Sequence, residues 1–200
     1  MNFRSITLEI AVPDTSAQIV EAADALFYQR GFDHTSLADI AAAVGIARGN
    51  LTYHFKAKDE ILAAVIDRRL ANTQAMLDAW EGAGDGPAAR ITSFIHILIA
   101  NQAKIMAHGC PVGTLSNELA KLDHAALPDA ARIFTLFRSW LARQFTLLGH
   151  DGARADELAL HLLGRSQGVA TLATAFKDET FIQREVAAMR DWLSTLAQQL

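Results

Sequence analysis

The residues best equipped for chemistry stand close together: Arg48, Gly49, Asn50, Thr52, Tyr53, His54, Lys56 and Lys58. They do not form a nucleophile with its base and acid. Their types suit the bases and phosphates of a nucleic acid. Arg and Asn can bond guanine and adenine bidentately, and Gly lets a backbone approach closely. Thr52, Tyr53, His54, Lys56 and Lys58 can reach phosphates, contacts that set register rather than sequence.

These side chains need an element that turns them outward together. At about 100° per residue, a helix from Arg48 to Phe55 places Leu51 and Phe55 about 40° apart, an apolar edge that can be pinned in a core. Gly49, Asn50 and Tyr53 then fall on the opposite side, with Arg48 and Thr52 on a flank. The preceding helix is announced by Ser36 and Asp39 at capping-box spacing, then Leu37, Ile40, Ala41 and Val44, and is closed by Gly45. Two short helices meeting at Val44-Gly45-Ile46 have the form of a helix-turn-helix, whose second helix lies in the major groove. On spacing alone, an ordinary helical hairpin with a solvated polar face fits as well. From Gly31 to Lys58 three cations face two acids, and all three cations lie at the end of the motif.

The rest of the chain also reads as helix. Ile19, Ala22, Ala23, Leu26 and Phe27 form a stripe of helical period, preceded by Thr15 and Gln18 at capping-box spacing and stopped by Gly31 as a left-handed residue. A fourth helix spans 58–80, with Asp59 and Glu60 in its first turn. After the Gly- and Pro-rich break at 81–87, helices are expected near 88–107, 114–122, 128–148, 154–176 and 179–199. Residues 3–12 suggest an extended or frayed arm. The spacing predicts an all-α fold: a head at about 14–57 within an N-terminal domain 1–57, and a larger bundle in a domain 58–200.

Composition narrows the classes. Of 200 residues, 51% are apolar and 20% charged, enough to bury a core. The longest runs without Asp, Glu, Lys or Arg are 13 residues, short of the about 20 that a membrane helix needs. A single cysteine and no secretory signal point to the cytoplasm. A net charge of −4 argues against a non-specific nucleic-acid coat but leaves room for a small basic reading head.

The stretch IVEAADALFYQRGFDHTSLADIAAAVGIARGNLTYHFKAKDEIL, residues 19–62, resembles the DNA-binding head of the tetracycline-repressor (TetR) family of bacterial transcription regulators. The resemblance rests on Ala22-Ala23, Leu26-Phe27, Gly31-Phe32, Thr35-Ser36, Asp39-Ile40-Ala41, Val44-Gly45-Ile46, Gly49-Asn50-Leu51, Tyr53-His54-Phe55, Lys58 and Leu62. It implies an all-α homodimer on a palindromic operator of double-stranded DNA, usually a repressor, released when a small molecule binds the C-terminal bundle. Carried over by position, it implies base reading by Arg48, Gly49 and Asn50, and phosphate contacts from Thr35 or Ser36 and from Tyr53, His54 and Lys58. Thr52 departs from the Tyr common there. Ala47 and Ala57 stand where Ser often caps, forfeiting about 1 kcal/mol of helix stability each.

For the bundle, GCPVGTLSNELA (109–120) resembles a turn and helix that lie beside the effector cavity in one branch of the family. Phe94, Leu98, Asn101, Cys110, Phe134, Phe137, Trp140 and Gln167 are candidate walls for a small, mainly apolar effector; the aromatic ones also suit close-packed core. The resemblance pairs the last two long helices with their symmetry mates, so Leu162, Gly168, Leu172, Ile182, Met189 and Leu193 are candidate dimer contacts. The expected mechanism moves the 58–80 helix when the cavity fills, changing the separation of the two reading helices. The alternative is a DNA-binding regulator without an effector, controlled by a partner or by oxidation of Cys110. No enzyme is expected: Glu-x-x-His pairs, a nucleophile elbow and a phosphate loop are all missing, and Glu157 with His161 gives only two ligands. No cofactor or metal is expected either.

Overall fold

Asp14 accepts the backbone N–H of Ser16 at 3.4 Å and starts the first helix, α1 (Thr15–Arg30). Thr15 is already inside that helix, so the box expected between Thr15 and Gln18 is replaced by the Asp14 cap. The computed structural model describes residues 14–198 apart from Asp85; the arm expected over 3–12 lies outside them. Gly31 ends α1 at φ +92° and ψ 157°. This is a positive φ with an extended ψ, not the left-handed helical conformation expected there. Gly45 does adopt the left-handed conformation, closing α2 (Leu37–Val44), which opens with the reciprocal Ser36–Asp39 capping box. Next come α3 (Arg48–His54) and α4 (Lys58–Gly82), starting at Ala47 and Ala57 without a side-chain cap.

Beyond the break lie α5 (Pro87–Ala100), α6 (Gln102–His108), α7 (Pro111–Lys121), α8 (Leu127–Leu148), α9 (Gly152–Phe176) and α10 (Glu179–Gln198). The helix expected over 88–107 is therefore two. Asn101 sits at φ −114° and ψ 15°, and its Nδ2 donates to the Ile97 carbonyl, a local bond that competes with helix propagation. The described residues form ten helices and no strand. The chain is all-α, an N-terminal helix-turn-helix unit with a C-terminal helical domain.

Two cores hold it. The first joins Ile19, Ala23 and Phe27 of α1, Ile40 of α2, Leu51 of α3 and Ile61, Leu62 and Val65 of α4 to Leu115 and Leu119 of α7. Helix α7 thus belongs to the head's core although it lies more than 50 residues beyond it in the chain. The second core packs Leu77, Ile91, Ile95, Leu141, Phe145, Leu158 and Leu162 with Ile182, Met189 and Leu193 of α10. Among the described residues, no helix is long and apolar enough to cross a membrane.

Candidate nucleic-acid interface and cavity

Leu51 is 0% exposed and fixes the rotation of α3 about its axis. With that edge pinned, Arg48, Gly49, Asn50 and Tyr53 are exposed and Thr52 and His54 half-buried. Tyr53 is 77% exposed, a large aromatic in water, with its ring centre 5.4 Å from that of His54 in an edge-to-face pair. The helix stops at His54, and Phe55 packs partly buried against the head's core from an extended conformation. Among the described residues the side chains of Arg48 and Asn50 make no hydrogen bond or ion pair to the protein, so their donors are free for a ligand. The Thr52 hydroxyl donates to the Gly49 carbonyl and Lys56 Nζ to the Thr52 carbonyl.

Three expected phosphate contacts look different in the fold. Thr35 is 1% exposed, and its hydroxyl donates to the Gly31 carbonyl at 2.7 Å, so it is a turn residue with nothing left for a phosphate. Ser36 is exposed, but its hydroxyl is engaged with Asp39 in the capping box. That bond holds the Asp39 carboxyl below its ordinary pKa. Lys58 turns inward: Nζ donates to the Phe32 carbonyl at 2.9 Å and lies 4.2 Å from the centre of the Phe32 ring.

Behind the head a cavity of about 610 Å³ opens among α1, α4–α6, the start of α7, α8 and α9. Phe94, Leu98, Asn101, Cys110, Phe134, Phe137 and Gln167 all line it. Trp140 does not. It is 4% exposed, lies tilted against Trp80, and its indole N–H donates to Glu81 at 2.8 Å; this bond and the core hold the ring away from the cavity.

Two cavity residues were not legible from the sequence. Arg69 is 9% exposed, pairs with Asp24 at 2.6 Å and donates to the Pro111 carbonyl at 2.6 Å. A cation inside the apolar stripe of α4 was its only signal. Tyr28 donates to the Gly109 carbonyl at 2.7 Å; chiefly burial, and then Cys110, push its hydroxyl up to about 12.

The expected dimer residues divide. Leu162, Ile182 and Met189 are 0% exposed and Leu193 3%. They lie inside the protomer's second core and are unavailable to a partner. Gly168 and Leu172 are exposed, and with Leu160, Gly164 and Phe176 they follow one i+4 ridge of α9. A Cβ on Gly164 or Gly168 would meet nothing within 4 Å. The protomer itself therefore has no use for glycine there, although each costs about 1 kcal/mol relative to alanine in a helix.

Comparison with known proteins gives consistent matches. The family described as "Bacterial regulatory proteins, tetR family" matches residues 19–65. "Transcriptional regulator LmrA/YxaF-like, C-terminal domain" matches residues 87–200, more than half of the chain. An HTH-type transcriptional regulator in the lacX 3′ region of Lactococcus lactis is 28% identical over 168 residues, 82% of this chain and 86% of that protein. The regulator TtgR of Pseudomonas putida is 48% identical over 54 residues, 27% of this chain and 26% of its own length. A TetR transcriptional regulator from Legionella pneumophila has the same fold, with a TM-score of 0.81 at 24% identity, covering 93% of this chain and 98% of that one.

Proposed function

The chain belongs to the TetR family of bacterial transcription regulators, and from that premise we propose that it is a dimeric repressor of a palindromic operator, released by a small molecule. The observation that carries this reading is α3: a buried Leu51 behind an exposed Arg48 and Asn50 that no side chain among the described residues engages. Arg48 reads a guanine, Asn50 an adenine, and Gly49 admits the backbone between them. Tyr53 and His54 take phosphates. With Thr35 and Lys58 engaged inside the head, phosphate binding rests on the α3 side chains and on Lys56.

The dimer reading is supported by the α9 ridge from Leu160 to Phe176, whose central glycines let a second copy approach backbone to backbone. Two-fold symmetry then sets the two α3 helices about 34–36 Å apart, one turn of duplex. The effector reading is supported by the cavity, whose volume suits a ligand of drug size and whose walls are mostly apolar with the Gln167 and Asn101 amides among them. Arg68, Arg69 and Met76 of α4 line the cavity, and Ile61 and Leu62 of the same helix lie in the head's core. An effector that fits one setting of α4 better than another shifts the DNA-binding equilibrium by that difference in affinity. Such a regulator works on chromosomal DNA in the cytoplasm.

Selection of bound duplexes from a random pool tests the reading. It should return an inverted repeat with half-sites one helical turn apart. Failure to retain any duplex at low salt would overturn it.

A further inference from the structure

Helix α7 touches both the cavity and the head. At its N-terminal end Cys110, Pro111 and Val112 line the cavity. The Pro111 carbonyl accepts from Arg69, and the Gly109 carbonyl accepts from Tyr28. Gly113 lies directly under Gln167, whose Oε1 is 2.5 Å from where a Cβ would stand. Five residues on, about 7.5 Å along the axis, Glu118 reaches into the loop between α1 and α2. Its two carboxylate oxygens accept the backbone N–H groups of Phe32 and Asp33, each at 2.9 Å.

The same loop is held from the opposite direction by Lys58 of α4, whose ammonium donates to the Phe32 and Asp33 carbonyls at 2.9 and 3.4 Å. Phe32 also meets His124, 5.1 Å between ring centres, just beyond the end of α7. One dipeptide thus has its N–H groups bonded to the bundle and its carbonyls to α4. Leu115 and Leu119, on either side of Glu118, are buried in the head's core, so α7 cannot slide without disturbing its packing on α1. Gly31 completes the fit, because a side chain there would stand 2.8 Å from Glu118 Oε1.

We propose that Glu118 is a positioning residue, and that its grip on the Phe32–Asp33 dipeptide is what couples a displacement of α7 to the DNA-reading head. The proposal rests on the DNA-binding reading above and assigns the contact that anchors α7 in the α1–α2 loop. An occupant pressing on Cys110–Gly113 displaces α7, and Glu118 transmits that displacement to the loop that opens α2, the helix on which α3 is seated.

The chain contains one cysteine, so an artificial occupant can be placed at a known position by alkylating Cys110 with N-phenylmaleimide, its completeness followed by mass. The full-length protein, labelled and unlabelled, is titrated with its selected inverted repeat and with a random duplex, as wild type and as E118Q. Gln keeps one acceptor but turns an N–H₂ toward an N–H donor, cutting one of the two bonds. We expect label to weaken wild-type binding to the repeat by about tenfold, the usual size of an allosteric coupling. In E118Q, whose unlabelled affinity for the repeat is already several-fold lower, the label should change binding by less than about twofold. Random-duplex binding should be the same in all four samples, which a general loss of folded protein would not leave intact. Where the thiol resists the reagent, Cys110→Trp fills the same space and is read the same way.

An equal effect of the label in wild type and E118Q overturns the proposal, as does a label that leaves the wild type unaffected. If the unlabelled wild type shows no preference for any repeat, the DNA-binding reading fails first, and that result is distinct from either of these.

Discussion

Replacing Gly31 by alanine should be among the most damaging small changes in the head. At φ +92° and ψ 157° the backbone is in a region that only glycine occupies without strain, and a side chain there costs about 1–3 kcal/mol. The new Cβ would also stand 2.8 Å from Glu118 Oε1, displacing the carboxylate from two backbone N–H groups. Bonds to a charged acceptor contribute about 1.5–3 kcal/mol each when buried. Asp33 is exposed, so together they are worth about 2–3 kcal/mol here. The sum is about 3–6 kcal/mol, which for a chain of this size lowers Tm by roughly 10–20 °C. Thermal and urea unfolding of Gly31→Ala measure it. The double variant separates the two parts: in a Glu118→Ala background the clash is gone, and Gly31→Ala should cost only the backbone strain of about 1–3 kcal/mol. A loss below about 1 kcal/mol in the wild-type background, or the same loss in both backgrounds, would show that Gly31 and Glu118 are not coupled in this way.

Arg48→Ala should relax base preference at one position in each half-site, costing about 1–3 kcal/mol against the preferred base; competition binding with single-base variants of the repeat checks this. Tyr53→Ala, by contrast, should weaken all duplexes alike and reduce the salt slope, as loss of a phosphate contact does. Gly168→Arg should leave the helical circular dichroism spectrum intact but shift the protein to monomer in sedimentation velocity, and with it abolish binding to the inverted repeat. Tyr28 carries a pH prediction: its folded-state pKa of about 12 lies above the unfolded value of about 10. The stability it contributes is intact below about pH 10 and is lost as pH rises toward 12. Absorbance titration of a Tyr53→Phe variant should place the Tyr28 midpoint near 12.

What the sequence made legible was local. The Ser36–Asp39 box, Gly45 and the burial of Leu51 depend on residues within one or two turns, and periodicity reports them directly. Where a partner lies far along the chain, residue type misled. Lys58 looks like a surface phosphate ligand until the fold brings it Phe32, 26 residues upstream; Thr35 fails more locally, on the Gly31 carbonyl. Trp140 looks like a cavity wall because its partner, Glu81, is 59 residues away. Apolar residues on α9 and α10 showed that these helices bury a face, but not which face. Leu162, Ile182, Met189 and Leu193 fill the interior, and the outward ridge of α9 carries Leu160, Leu172 and Phe176 exposed on either side of its glycines. Glu118 carried no signal, being an ordinary acid on an amphipathic helix until the α1–α2 loop folds against it.

In the proposed complex two copies of α3 present Arg48 and Asn50 to successive major grooves of one duplex. Electron–electron dipolar spectroscopy measures that directly, with spin labels on Ala47→Cys at the start of α3 and Cys110→Ser removing the native thiol. On the selected repeat a single narrow distance is expected, within a few Å of about 34–36 Å. No distance between protomers, or one far from a turn of duplex, would contradict it.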